Sequence, residues 1–151
     1  MQVFIVGSPL ETAMALDKRR LNRQIQEAKV ILDALNGAKA WSNHPCVLQY
    51  RGHEDWLLHY QWCLESYYRG VTNGTLDLEY YDARDESRVC EAYKPMFHTQ
   101  EYFEQMKRRL FEKNKEHYKQ WAHLGTSEVN WYYVDGEWRY YKKGKRVKES
   151  I

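Results

Sequence analysis

The sequence predicts a mainly α-helical fold: a single-domain helical bundle with a short N-terminal extended segment and a C-terminal β-hairpin. Three observations carry the prediction. Residues 20–35 and the stretch HEDWLLHYQWCLESYYRG (53–70) both repeat apolar residues at helical spacing. The stretch FHTQEYFEQMKRRLFEK (97–113) opens with a helix-capping threonine, and NWYYVDGEWRYY (130–141) sets Asp135-Gly136 between aromatic β-formers. With 151 residues, 43% of them hydrophobic and 29% charged, the chain has enough apolar content for one domain, 1–151, with a core of its own.

The elements follow in order. VFIV (3–6) is four β-favouring residues closed by GSP, a short extended segment or buried strand. SPLET then supplies a helix start, with Ser8 as N-cap, Pro9 at the first helical position and Glu11 three residues after the cap. That helix is expected to run to about Ala15. From Arg20 to Leu35, an apolar stripe forms from Leu21, Ile25, Ala28, Leu32 and Leu35, and Gly37 occupies the position that ends such helices. WSNHPCVLQY reads as a loop whose Pro45 opens the next helix. In the following helix Trp56, Leu57, Tyr60, Leu64 and Tyr67 share a face, and Gly70 is expected to end it. TNGT and DARDES read as turns, with helix possible over Leu76–Tyr81. Thr99 caps a helix that reaches at least Phe111, with a short one after it, and Asp135-Gly136 makes the hairpin turn.

Charge and cysteine content narrow the function. The net charge is +2, but residues 138–151 sum to +5 and the rest to −3, which points to a local polyanion contact on a near-neutral body. Three cysteines in no C-x-x-C spacing read as reduced thiols of a cytoplasmic protein, and the N-terminus has neither signal-peptide nor membrane-span character. The histidines lack zinc-ligand spacing, so no metal is expected. Phosphate-binding glycine loops and the GxSxG elbow are missing, which argues against P-loop NTPases, dinucleotide enzymes and that class of hydrolase.

Two patterns carry chemistry. WRYYKKGK (138–145) interleaves rings with cations, as nucleic-acid contacts do, or is a hairpin strand running into a solvated basic tail. On the helix of residues 20–35, Arg20, Gln24, Glu27 and Ile31 lie within about 60° of one another, beside the apolar stripe. Glu27 is thus a carboxylate at the core's edge with Arg20 and Arg23 behind it, or half of an ordinary Arg23–Glu27 surface pair.

LDKRRLNRQIQE (16–27), WSNHP (41–45) and YYRG (67–70), in that order and ending in the WRYYKKGK tail, resemble the pyrimidine-dimer DNA glycosylase family of the phage endonuclease V type. Leu16, Asp17, Leu21 and Glu27 match the family's helix in register; the arginine the family carries just before its glutamate is Gln26 here. The resemblance implies a cofactor-free glycosylase with AP-lyase activity on damaged or modified pyrimidines. Its partner would be double-stranded DNA carrying a lesion or modified base; no membrane partner is expected, and a monomer is favoured with the oligomeric state left open. It implies a Schiff base from the N-terminal amine, here that of Met1, because glutamine at position 2 disfavours methionine removal, or that of Gln2 if it were exposed and did not cyclise. Such amines titrate near about 7.7–8.0, against about 10.4 for lysine side chains, so an appreciable fraction is neutral at pH 7. Glu27 would stabilise the sugar cation and move protons. Arg20 and Arg23 would keep Glu27 ionised and bind phosphates flanking the lesion; Asn43 and His44 would face the DNA, or simply cap the next helix. In the tail, Trp138, Tyr140 and Tyr141 would stack, and Arg139, Lys142, Lys143 and Lys145 would hold the strands. The alternative is a non-catalytic nucleic-acid, nucleotide or protein binding module on the same fold.

Overall fold

A computed structural model describes residues 1–75 and 94–148. Its helices are α1 (Pro9–Ala15), α2 (Lys18–Leu35), α3 (Pro45–Gln49), α4 (Glu54–Asn73) and α5 (Gln100–Lys113), followed by a 3₁₀ helix (Lys119–Leu124). Strands β1 (Val129–Val134), β2 (Glu137–Lys142) and β3 (Lys145–Val147) form one antiparallel sheet in the order β1-β2-β3. The expected mainly α fold with a C-terminal hairpin is observed. The region Leu76–Tyr81, with DARDES, lies outside the described residues.

Local chemistry explains the helix starts. Ser8 Oγ accepts from Glu11 N and Glu11 Oε1 accepts from Ser8 N, both at 3.1 Å, which satisfies two otherwise orphaned donors. Thr99 Oγ1 accepts from Tyr102 N at 3.2 Å at the head of α5. Helix α4 does not stop at Gly70. It continues to Asn73, and Gly74, at φ 68°, makes the left-handed turn that ends it. Gly70 is buried within α4, where packing outweighs the roughly 1 kcal/mol by which glycine disfavours helix.

The core lies where α4 packs on α1 and α2, and where β1 lies against α3 and α5. Its largest members are aromatic: Trp56, Tyr50, Tyr60, Tyr102 and Tyr118 are almost wholly buried. On α2 the buried residues are Leu21, Gln24, Ala28, Ile31, Leu32 and Ala34, while the expected stripe members Ile25 and Leu35 fall at the margins.

The basic C-terminal segment is not a tail over residues 138–147. Asp135 (φ 53°) and Gly136 (φ 78°) turn β1 into β2, and Lys143 (φ 51°) and Gly144 (φ 78°) turn the chain again into β3. Lysine is a poor signal for a positive-φ position, so the second turn was not legible. No described helix is long and apolar enough to cross a membrane.

Buried His98 makes the fold acid-sensitive. It is 4% exposed, with Nε2 at 2.9 Å from the Tyr50 hydroxyl and its ring 4.6 Å from Trp56 and 4.9 Å from Phe97. Burial first, then the charges of Lys94 and His53, hold it well below the ordinary imidazole value of 6.5. The unfolded chain therefore binds a proton near pH 6.5 that the folded chain refuses. Stability is full above that pH and falls by up to about 1.4 kcal/mol per unit below it. Urea unfolding at pH 7, 6 and 5 should show a shallower loss for His98→Gln than for the wild type; equal slopes would refute this.

Candidate active site

The extended segment at the chain start is buried, with Val3, Phe4 and Ile5 at most 6% exposed, yet it joins no sheet. Side chains satisfy its backbone instead. Phe4 N donates to Gln24 Oε1 at 2.8 Å and Val6 N to Thr12 Oγ1 at 3.1 Å. Phe4 O accepts from the Tyr60 hydroxyl at 2.6 Å. A strand partner is unnecessary because α1, α2 and α4 supply the donors and acceptors.

Glu27 is bound into this arrangement. Its Oε2 accepts from Gln2 N at 3.3 Å and from Gln24 Nε2 at 3.1 Å, and its Oε1 lies 3.6 Å from Arg23 Nε. Gln24 is the hub: it is 3% exposed, its Nε2 also donates to Gln2 O at 2.9 Å, and its Oε1 also accepts from Tyr60 at 3.0 Å. Met1 is fixed by its carbonyl, which accepts from the Tyr132 hydroxyl at 2.9 Å. Gln2 is 5% exposed and reaches Met106 Sδ at 3.4 Å.

Met1, Gln24 and Glu27 share a cleft of about 340 Å³. Arg19, Arg20 and Arg23 line it from α2, and Arg109 and Lys113 from α5, with Asn130 of β1 beside them. Among the described residues, Glu27 is the one carboxylate lining it, against five side-chain cations. Arg20 is steadied by Asp17 at 3.3 Å. Burial opposes ionisation of Asp17, but the hydrogen bond from Tyr118 and the charge of Arg20 outweigh it and hold the carboxyl below its ordinary value. Arg109 Nε donates to Asn130 Oδ1 at 2.8 Å, and its Nη1 to Ser127 O at 3.0 Å. Burial, then the charges of Arg109 and Arg20, push Lys113 below the ordinary lysine value. Two larger clefts offer less to a polyanion. One, about 650 Å³ between α2 and α4, is lined by Asp33, Glu54, Asp55 and Glu65 against Lys29. In the other, about 690 Å³, Lys142 faces Glu128 at 3.7 Å.

His44 caps α3, its Nδ1 accepting from Cys46 N at 3.1 Å, and Asn43 is exposed in the same turn. Burial and then the positive chain start lower the His44 pKa. The hairpin residues are elsewhere. Trp138 is half-buried and packs on Tyr133 at 5.2 Å, Tyr102 at 5.6 Å and Trp131 at 5.8 Å, so its ring is occupied with joining the sheet to α5. Arg139 pairs with Glu137 and Asp135 at 3.2 and 3.4 Å. Tyr140 packs on Trp131, and Tyr141 on Tyr132, the residue that grips Met1. Lys142, Lys143 and Lys145 are exposed at the sheet's end.

Residues 1–75 match the family described as pyrimidine dimer DNA glycosylase. The N-terminal half of the chain belongs to that family. No curated protein and no solved structure matches the sequence. The span matched to the pyrimidine dimer DNA glycosylases contains Met1, Arg20, Arg23, Gln24, Glu27, Asn43 and His44, whereas Arg109, Lys113, Asn130 and Tyr132 come from beyond it. Those four, and Arg19, were not singled out from sequence, and Gln24 was placed on the Glu27 face without a role. Arg109 and Lys113 had a faint signal, two cations four residues apart beside the buried Met106 and Leu110.

Proposed function

We propose that the protein is a DNA glycosylase with AP-lyase activity on damaged or modified pyrimidines. The observation that carries the reading is the hydrogen bond from Gln2 N to Glu27 at 3.3 Å, which ties the carboxylate to the residue next to the α-amine, within a cationic cleft. The neutral amine of Met1 attacks C1′ of the damaged nucleotide, the C1′–N bond breaks and the base leaves with a proton; the C1′–O4′ bond then opens, O4′ taking a proton from water, and the amine nitrogen and C1′ are left as an iminium. The resulting iminium makes the C2′ proton acidic. Glu27 accepts that proton, the 3′ phosphate departs by β-elimination, and hydrolysis returns the free amine. Arg20, Arg23, Arg109 and Lys113 hold the flanking phosphates. Lys142, Lys143 and Lys145 add a second, peripheral contact with the duplex.

Borohydride trapping tests this reading. Incubation with a duplex containing an abasic site, then reduction, should give a covalent adduct in the tryptic peptide of residues 1–18, and acetylating the α-amine beforehand should abolish it. An adduct carried by Lys113 would replace the nucleophile. No adduct with abasic or ultraviolet-irradiated DNA would leave the binding module as the better reading.

A further inference from the structure

One aromatic side chain near the cleft is turned outward. Trp41 is 57% exposed, and its φ of 66° is a left-handed conformation that a bulky residue adopts only under constraint. The constraint is the turn into α3: Trp41 O accepts from His44 N at 2.9 Å, and Ser42 N donates to Lys39 O at 3.3 Å. The indole meets the His44 ring edge-on at 5.9 Å, His44 meets Tyr132 at 5.8 Å, and the Tyr132 hydroxyl holds the Met1 carbonyl at 2.9 Å. Trp41 is therefore one histidine and one tyrosine away from the first residue. Among the described residues, the other large apolar side chains with comparable exposure, such as Met14, Leu58 and Met96, are aliphatic.

We propose that Trp41 is a base-stacking residue, whose indole takes the face of a nucleobase left unpaired at the lesion or opposite it. The proposal rests on the glycosylase reading. Drawing a nucleotide out of the duplex costs a few kcal/mol. Stacking a base on an aromatic side chain returns roughly 1–3 kcal/mol, and only where the base has left its own stack. Trp41 thus supplies preference for opened DNA, while the cleft's cations supply affinity that is indifferent to damage. The neighbours suit a nucleic acid better than a protein partner: Lys39 and Asn43 are exposed beside it, and Ser42 adjoins it, with no large apolar side chain among them.

The test compares wild type, Trp41→Ala, Trp41→Leu and Trp41→Phe. Equilibrium binding is measured over a salt series to an undamaged duplex and to the same duplex with one reduced abasic-site analogue. Trp41→Ala and Trp41→Leu should lose roughly 5- to 100-fold on the analogue duplex, and Trp41→Phe should keep most of the affinity. All four should bind the undamaged duplex alike, with one salt slope. Stacking is overturned if Trp41→Ala keeps its preference for the analogue, if Leu serves as well as Phe, or if both duplexes lose affinity equally. A wild type that forms the borohydride adduct while Trp41→Ala keeps its preference removes only the stacking proposal. A wild type with neither adduct nor preference removes both.

Discussion

Replacing Glu27 with Gln is expected to slow strand cleavage at an abasic site by roughly 10²- to 10⁴-fold, the usual contribution of a positioned acid–base group. The amide fills the same space, and its oxygen can still accept from Gln2 N and Gln24 Nε2, so folding should be unaffected. On the proposed mechanism, what is lost is the proton acceptor for C2′ and the negative charge that would face the sugar cation. The same substitution removes the single lining carboxylate from a cleft that holds five side-chain cations, so DNA should bind as tightly as before or more tightly. Single-turnover cleavage and equilibrium binding on one substrate separate these effects. Unchanged cleavage would dismiss Glu27; weaker binding would mean that its part is to organise the arginines.

The second large effect concerns Gln24. Gln24→Leu conserves approximate volume but strands the Phe4 N–H and the Gln2 carbonyl, both buried, and should cost about 2–4 kcal/mol of stability by chemical denaturation. Gln24→Glu is the more informative variant. It keeps an acceptor for Phe4 N and the Tyr60 hydroxyl, but it puts a second carboxylate at the site of an amide nitrogen 3.1 Å from Glu27. Two carboxylates that close share a proton, so the acidic limb of the cleavage pH profile should move to higher pH. A merely structural glutamine would lower stability without moving that limb.

What could be read from the sequence was what local rules govern. The Ser8–Glu11 box, the Thr99 cap and the Asp135-Gly136 turn each depend on residues within a few positions, and each formed as expected. Glu27 was legible as a carboxylate at the edge of an apolar stripe, and it is half-buried at that edge. Gln24 was not legible as a hub, because its partners Gln2, Phe4 and Tyr60 are brought to it only by tertiary packing. The same holds for the unpaired N-terminal extended segment, for Tyr132 over Met1, and for Arg109 and Lys113 across the cleft. Gly70 misled for the opposite reason: a local breaker lost to burial of the face around it.

The grip of Tyr132 on Met1 spans 131 positions. A ribosome making this chain must therefore emit Tyr132 before the Met1 carbonyl finds its partner, whereas Thr12, Gln24 and Tyr60 are at hand to hold residues 2–6 much earlier. On the proposed reading, the amine reaches its working geometry only once that late hydrogen bond has formed, which keeps it from cellular aldehydes in that geometry until then.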